Sequence, residues 1–168
     1  MRTTRAIQWL ATLLAAAAVA AVGHAQSTLV AGPLPGISTS GQPDESALTK
    51  LADDGFVAII DLRTPNENRG LDERQTVVDL GMTYISLPVD GPDEITYETA
   101  AALDAILGET GRPVLIHCST GNRAGALLAL RQRLNGADAE EALEVGIAAG
   151  LTTLRSTVEA RLAAPPGK

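Results

Sequence analysis

The chain has 168 residues, and its 20 Asp and Glu residues outnumber its 13 Lys and Arg residues, which gives a formal net charge of −7 at pH 7. Nucleic acid and anionic lipid repel an acidic protein, so we expect neither as a partner. Once an N-terminal targeting segment is set aside, the remaining length suffices for one domain with a single core and is too short for two.

The first 25 residues have the layout of a secretory signal peptide. Arg2 and Arg5 precede an apolar run over residues 7–22, and Gly23 and Ala25 form a G-x-A cleavage site. The alternative is an uncleaved membrane anchor, but the run is short and rich in alanine for a spanning helix. We predict a signal peptide at residues 1–25 and a single domain at residues 26–168, secreted or periplasmic and without a stable membrane anchor after cleavage.

The first part of this domain shows helical and strand patterns in turn. Apolar residues at helical spacing, with Pro43 at the start and Gly55 past the end, predict a helix. The continuous apolar run FVAIIDL predicts a strand that is covered on both faces. The predicted elements are a lead-in with at most a short edge strand near residues 36–38, a helix over residues 43–54, a strand over residues 56–62 and a short helix over residues 73–80.

The second part continues the alternation. Thr96 is placed to cap one helix, and Asp138 with Glu141 fits a capping box for another. The predicted elements are a buried strand over residues 82–89, a helix over residues 96–107, a strand over residues 113–118, and helices over residues 123–134, after residue 138 and within residues 151–164. Apolar strands that alternate with helices predict an α/β fold in three layers, with a mostly parallel sheet flanked by helices.

The segment HCSTGNRAG, residues 117–125, lies between a predicted strand and an amphipathic helix. In parallel α/β sheets the binding crevice lies outside the carboxyl ends of the strands, where this segment falls. The unpaired N–H groups and the positive dipole end of the helix attract an anion there. Gly121 allows a positive φ that turns backbone amides inward, and the guanidinium of Arg123 can grip two oxygens of an anion. The same field favours a thiolate at Cys118, which makes this residue a candidate nucleophile.

Cys118 is the only cysteine of the chain, so it cannot form an internal disulfide. A lone cysteine is ordinarily a small apolar core residue. The conjunction of Cys118, Gly121 and Arg123 at this position favours a functional thiolate instead. We expect a small anionic substrate, either a phosphate ester or a sulfane sulfur compound, because aromatic residues that could stack on a substrate ring are scarce.

The sequence HC, followed by a short glycine-containing loop and an arginine, resembles the active-site loop of the cysteine-dependent tyrosine and dual-specificity phosphatases. The upstream segments STSGQPDESALTKLADDGFVAIIDLR and GMTYISLPVDG resemble the phosphatase-like domain of bacterial beta-lactamase-hydrolase-like proteins. The resemblance covers most of residues 36–135. It implies a cysteine-phosphatase-like fold and a phosphoric monoester hydrolase.

The resemblance also implies roles for individual residues. Cys118 would attack the phosphoryl group, and Asp90 would protonate the leaving oxygen. Arg123 would hold the transferred group together with the backbone amides of the loop. His117 would help to hold the thiolate through hydrogen bonding. The remaining substrate-binding residues of the loop would be Ser119, Thr120, Gly121 and Asn122.

Two of these roles have structural alternatives. Asp90 and Asp93 flank Gly91 and Pro92, so the sequence favours a turn role for them as much as a catalytic one. His117 also fits a core histidine that bonds to backbone, which is compatible with the supporting role.

The loop departs from the phosphatase pattern at two points. Four residues separate Cys118 from Arg123 where phosphatases of this type have five, and Ala124 stands where they usually have Ser or Thr. The shorter loop resembles that of rhodaneses, in which the cysteine carries a persulfide sulfur. A sulfurtransferase or persulfide carrier is therefore the first alternative. A non-catalytic module that binds oxyanions is the second alternative. It would use the same anion cradle, which is formed by the backbone amides of residues 119–123 and the guanidinium of Arg123.

Charged residues after the strand FVAIIDL are interpreted as structural. Arg63 and Glu67 could form an ion pair beside the crevice, or a solvated surface pair that contributes little. Asp61 needs a partner if it is buried, and Arg63 can face it only if the chain bends. Nothing in the sequence calls for a cofactor, and no group of residues at ligand spacing argues for a metal.

Overall fold

The computed structural model describes residues 30–164, which form five β-strands and six α-helices. The predicted signal peptide at residues 1–25 lies outside the described residues, as do residues 26–29 and 165–168. Export and the domain start at residue 26 therefore remain predictions. Within residues 30–164, no helix combines the length and the apolar composition that crossing a bilayer requires.

The five strands form one sheet in the order β1, β2, β5, β3, β4. All neighbours are parallel except β1 and β2, which are antiparallel. The prediction of a mostly parallel sheet is confirmed. The central strand is β5, and the segment with the cysteine leaves the sheet at its carboxyl end. The strands are β1 (Val30–Leu34), β2 (Ile37–Ser40), β3 (Ala58–Asp61), β4 (Thr83–Ser86) and β5 (Val114–His117).

Two strand predictions need correction. The strand predicted near residues 36–38 is an interior strand, because the chain folds back before it and β1 covers its outer edge. The strand predicted as buried over residues 82–89 is β4, which lies at the sheet edge. Its end residues Thr83 and Ser86 are exposed, since only β3 pairs with it. Residues 87–89 have already left the sheet.

The predicted helices are all present, with ends that differ by a few residues. Asp44 caps the first helix by accepting a hydrogen bond from the amide of Ala47, at 2.8 Å. Thr96 caps the third, and the predicted capping box of Asp138 and Glu141 is formed. The helices are α1 (Glu45–Asp53), α2 (Glu73–Asp79), α3 (Tyr97–Glu109), α4 (Asn122–Leu134), α5 (Ala139–Ala148) and α6 (Arg155–Leu162), with a 3₁₀ turn at Pro92–Glu94.

Helices cover both faces of the sheet and create two hydrophobic cores. Alternate residues of a strand point to opposite faces, so Ile59 packs on the side of α1 and α2. Its neighbour Ile60 packs on the other side against α3, α4 and the C-terminal helices. β5 divides in the same way, with Leu115 on the first face and Ile116 on the second. The predicted three-layer architecture is confirmed.

Helix α4 is buried over its first two turns because it lies between the sheet on one side and helices α5 and α6 on the other. Small residues allow the close approach to α5. A Cβ atom added at Gly125 would lie 2.3 Å from the backbone nitrogen of Leu151 and 2.6 Å from the carbonyl oxygen of Gly146. Both contacts are with backbone, so a side chain at position 125 would force α4 away from α5 and the segment that follows it.

The substitution Gly125→Ala is therefore expected to lower the free energy of unfolding by roughly 1–3 kcal/mol, the usual effect of overpacking. Urea unfolding followed by circular dichroism measures the change. Gly108→Ala is the matched control: a Cβ there meets nothing within 4 Å, so the higher helix propensity of alanine should stabilise α3 slightly. Equal effects of the two substitutions would contradict the packing argument.

Candidate active site

Cys118 lies directly after the central strand β5, and its side chain is only 1% exposed. The backbone amide of Gly121 donates a hydrogen bond to its sulfur at 3.1 Å. Gly121 has the positive φ that the sequence predicts, 89°, and it is the N-cap of α4. The loop thus turns back over the sulfur, and an N–H donor stabilises negative charge there.

Arg123 is fixed at the edge of this loop by the carboxylate of Glu67. Its Nη1 and Nη2 donate to Oε1 and Oε2 of Glu67 at 2.7 and 2.6 Å. Nη1 also donates to the carbonyls of Leu62 and Val89. The bond with Glu67 raises the pKa of Arg123 against the effect of burial. The guanidinium is therefore charged and oriented.

The predicted pairing of Glu67 with Arg63 is wrong. The partners of Glu67 are Arg123, the hydroxyl of Ser119 and the amide of Thr64. The signal that could have found it is position: Glu67 follows β3, which neighbours β5, and loops after adjacent parallel strands meet at one edge of the sheet.

The bond from Arg123 lowers the pKa of Glu67 to about 2, against burial and with help from Ser119. Because the folded-state pKa lies below the ordinary value of 4.5, the pair contributes stability that is complete above that value. This contribution is lost as the pH falls from 4.5 towards 2. We expect Glu67→Gln to remove this part of the acid sensitivity. The measurement is the fall of the urea unfolding midpoint from pH 7 to low pH.

The control for this experiment is Glu109→Gln at the exposed end of α3, which should leave the acid sensitivity of the wild type unchanged. If Glu67→Gln and the wild type lose stability in parallel on acidification, the Arg123–Glu67 pair does not contribute as stated.

The other predicted loop residues differ in what their side chains do. Ser119 is exposed, donates its hydroxyl to Glu67 and accepts from Nη2 of Arg123 at 3.1 Å. Thr120 is exposed. The side chain of Asn122 is bonded to residues 152–154 rather than directed into the cradle, so its backbone amide is the part left for an anion.

Asp90 lies in the loop after β4 and is exposed. The preceding residue, Val89, accepts a hydrogen bond from Arg123 at 2.9 Å, which places the Asp90 loop beside the cradle. The backbone amide of Asp90 donates to Glu94. Its role as a general acid stays a prediction.

His117 lies in a different environment from the one predicted for it. In the described part of the chain, the hydrogen bond to the Cys118 sulfur comes from Gly121, and none comes from His117. The imidazole is fully buried, and its Nε2 lies 2.7 Å from Oε1 of Glu73 without the alignment of a hydrogen bond. His117 and Cys118 are consecutive residues at the end of β5, so their side chains leave the backbone on opposite sides.

His117 belongs to a buried ionic network beneath the loops. The chain bends after β3, so that Nε and the backbone N–H of Arg63 both donate to Oδ1 of Asp61 at 2.9 Å. Arg63 also pairs with Glu73, and Arg69 pairs with Asp61. Burial raises the pKa of Asp61, but the hydrogen bonds from Arg63 and from the Tyr84 hydroxyl outweigh it and hold that pKa well below its usual range.

Oxygen and nitrogen atoms of Asp61, Glu73 and His117 lie within 4.8 Å of one another, a grouping that sequence spacing did not bring out. The guanidinium of Arg63 already bonds to both carboxylates. A metal ion would have to displace that cation, so we interpret the grouping as a structural ion-pair network.

Comparison with known proteins agrees with the fold. Residues 33–135 match the family described as "Beta-lactamase hydrolase-like protein, phosphatase-like domain". A beta-lactamase hydrolase-like protein of Xylella fastidiosa (strain Temecula1 / ATCC 700964) is 32% identical over 104 residues, which are 60% of this chain and 24% of the relative. The chain thus matches about a quarter of the length of this curated relative.

Solved structures give the same fold at lower identity. The protein nma1982 of Neisseria meningitidis Z2491 is 23% identical with a TM-score of 0.64, covering 74% of this chain and 92% of that one. TpbA of P. aeruginosa, crystallised in complex with phosphotyrosine, is 21% identical with a TM-score of 0.55, covering 77% and 79%.

These matches confirm the family and the cysteine-phosphatase-like fold that the sequence predicted. The family match extends over more than half of the chain and includes β2 to β5 and the whole of α4. This chain therefore belongs to the family of phosphatase-like domains of beta-lactamase hydrolase-like proteins.

Proposed function

We propose that this protein is an exported, cysteine-dependent phosphoric monoester hydrolase that acts on a small anionic phosphate ester. The observation that carries the proposal is the cradle itself: a buried Cys118 sulfur bonded by the Gly121 amide, with the charged Arg123 at its edge. These groups supply a nucleophile and donors for the transferred phosphoryl group.

The reaction follows from this arrangement in two steps. The Cys118 thiolate attacks phosphorus, the bond to the leaving oxygen breaks, and Asp90 gives that oxygen a proton. A water molecule then attacks the thiophosphate, releases phosphate and returns the thiolate. Arg123 and the amides of residues 119–123 hold the phosphoryl oxygens in both steps.

The second step is expected to be the slower one. Phosphatases of this type usually place a hydroxyl directly after the arginine to assist departure of the thiolate, and this chain has the fully buried Ala124 there. A thiophosphate on Cys118 should therefore accumulate during turnover and be detectable as an intermediate.

The competing function is sulfur transfer, and the four residues between Cys118 and Arg123 favour it. In that case Cys118 would take the outer sulfur of thiosulfate as a persulfide and give it to a nucleophile such as cyanide. The same cradle would hold the departing sulfite.

Mass spectrometry of Cys118 after separate incubation with an aryl phosphate and with thiosulfate tests the two functions. A gain of one phosphoryl group supports the phosphatase, and a gain of one sulfur atom supports the sulfurtransferase. Because the chain has one cysteine, the adduct is unambiguous. Absence of both adducts, together with oxyanion binding that survives Cys118→Ala, would select the non-catalytic binding module.

A further inference from the structure

The side chain of Asn122 bonds entirely to one short segment, residues 152–154, that follows α5. Oδ1 accepts from the backbone amides of Thr152 and Leu154 at 2.8 and 3.3 Å, and Nδ2 donates to the hydroxyl of Thr153 at 2.7 Å. The residue is only 9% exposed. Both polar atoms of the amide are therefore used, which fixes its orientation.

Asn122 also lies within the cradle, between Gly121 and Arg123. Gly150, just before the segment that Asn122 holds, also lies against the loop, since a Cβ atom at Gly150 would be 3.5 Å from the carbonyl oxygen of Gly121. The opposite side of the loop is held by the segment that follows β2, because the amide of Gln42 donates to the carbonyl of Ser119 at 3.3 Å. The cradle is thus supported on two sides.

The support from residues 150–154 comes from outside the part of the chain that matches the family, residues 33–135. The resemblance gave no role to the chain after residue 135. A cradle with one residue fewer than the usual phosphatase loop has fewer amides for an anion, so the orientation of each remaining amide matters more.

We propose that Asn122 is a positioning residue for the anion cradle, and that residues 150–154 form part of the active-site scaffold. The proposal deepens the proposed function, because it rests on the cradle being the site where an oxyanion binds. Asn122 acts through the backbone: its side chain ties the start of α4 to residues 152–154. This tie holds the amide of Asn122 in the direction of the bound anion and the amide of Gly121 in the direction of the Cys118 sulfur.

The test uses Asn122→Ala in the full chain, with inorganic phosphate as the probe. Isothermal calorimetry measures phosphate affinity, and a second readout compares alkylation of Cys118 by iodoacetate and by neutral iodoacetamide. A well-formed cradle favours the anionic reagent. We expect phosphate affinity to fall by about tenfold to a hundredfold and the preference for iodoacetate to fall with it.

A destabilised control separates positioning from a merely structural role. Val158→Ala shortens a fully buried side chain of α6 but breaks no hydrogen bond to the loop. It should lower the thermal midpoint while phosphate affinity and the alkylation preference stay at the wild-type values. Equal loss of affinity in both variants, or unchanged affinity in Asn122→Ala, overturns the proposal.

Thr153 supplies a milder pair of variants if Asn122→Ala fails to fold. Thr153→Val removes the acceptor for Asn122 Nδ2 and should weaken phosphate binding, whereas Thr153→Ser keeps a hydroxyl and should restore it. No difference between the two would overturn the proposal.

The outcomes also separate this proposal from the proposed function. A wild type that binds phosphate but turns over neither an aryl phosphate nor thiosulfate refutes catalysis and leaves the Asn122 comparison intact. A wild type that neither binds phosphate nor favours iodoacetate refutes the cradle, and the positioning role is refuted with it.

Discussion

Replacing Cys118 by serine is expected to lower kcat for an aryl phosphate by about 10⁴-fold or more, because a hydroxyl is a far weaker nucleophile than a thiolate. The substitution nearly conserves volume, so the buried position should tolerate it. Steady-state turnover and its inhibition by vanadate measure the effect in the wild type and the variant. If sulfur transfer is the true function, the same variant should lose the formation of thiocyanate from thiosulfate and cyanide.

Binding is the control for this loss. Cys118→Ser keeps the loop amides and Arg123, so phosphate affinity should stay within a few-fold of the wild type while turnover disappears. Hydrolysis by the variant at the wild-type rate would show that another group attacks phosphorus and would exclude Cys118 as the nucleophile.

Under the proposed function, in which Arg123 holds the phosphoryl group, the Arg123–Glu67 pair favours substrate binding. A flexible arginine side chain must lose rotamer freedom when it grips a substrate, which weakens binding. Here Glu67, two backbone carbonyls and Ser119 hold the guanidinium before any substrate arrives. Arg123 therefore loses its side-chain entropy during folding and not during substrate binding, as is general for preorganised active sites.

The sequence predicted the layered fold because the strand and helix patterns are local. Continuous apolar runs such as FVAIIDL and capping residues such as Asp138 act within a few positions, and both formed as expected. Strand neighbours are not local. Whether β4 was central or at the edge depended on pairing between distant segments, so its predicted burial was wrong.

The candidate site divides in the same way. Gly121 and its positive φ, the start of α4 and the position of Cys118 follow from one continuous segment, and the structure agrees with all three. The partners of that segment come from elsewhere: Glu67 from the loop after β3, and Thr152 and Thr153 from the segment after α5. Sequence spacing carries no signal for such contacts without the topology.

Arg63 gives the second large prediction, this one for stability. Its side chain is fully buried and bonds to the equally buried carboxylates of Asp61 and Glu73. Arg63→Met keeps much of the apolar stem but leaves both carboxylates without this cation. Breaking a buried ion pair on one side is expected to reduce the free energy of unfolding by about 3–5 kcal/mol, measured by urea unfolding at pH 7.

The matched control is Arg155→Met in α6, which removes an exposed ion pair with Glu159 and should change stability by less than about 1 kcal/mol. The pH dependence gives a further check. Without the hydrogen bonds from Arg63, burial raises the folded-state pKa of Asp61, so the variant regains stability relative to the wild type as the pH falls. A small loss at pH 7, equal to that of Arg155→Met, would contradict the view that Arg63 neutralises the buried carboxylates beneath the active-site loops.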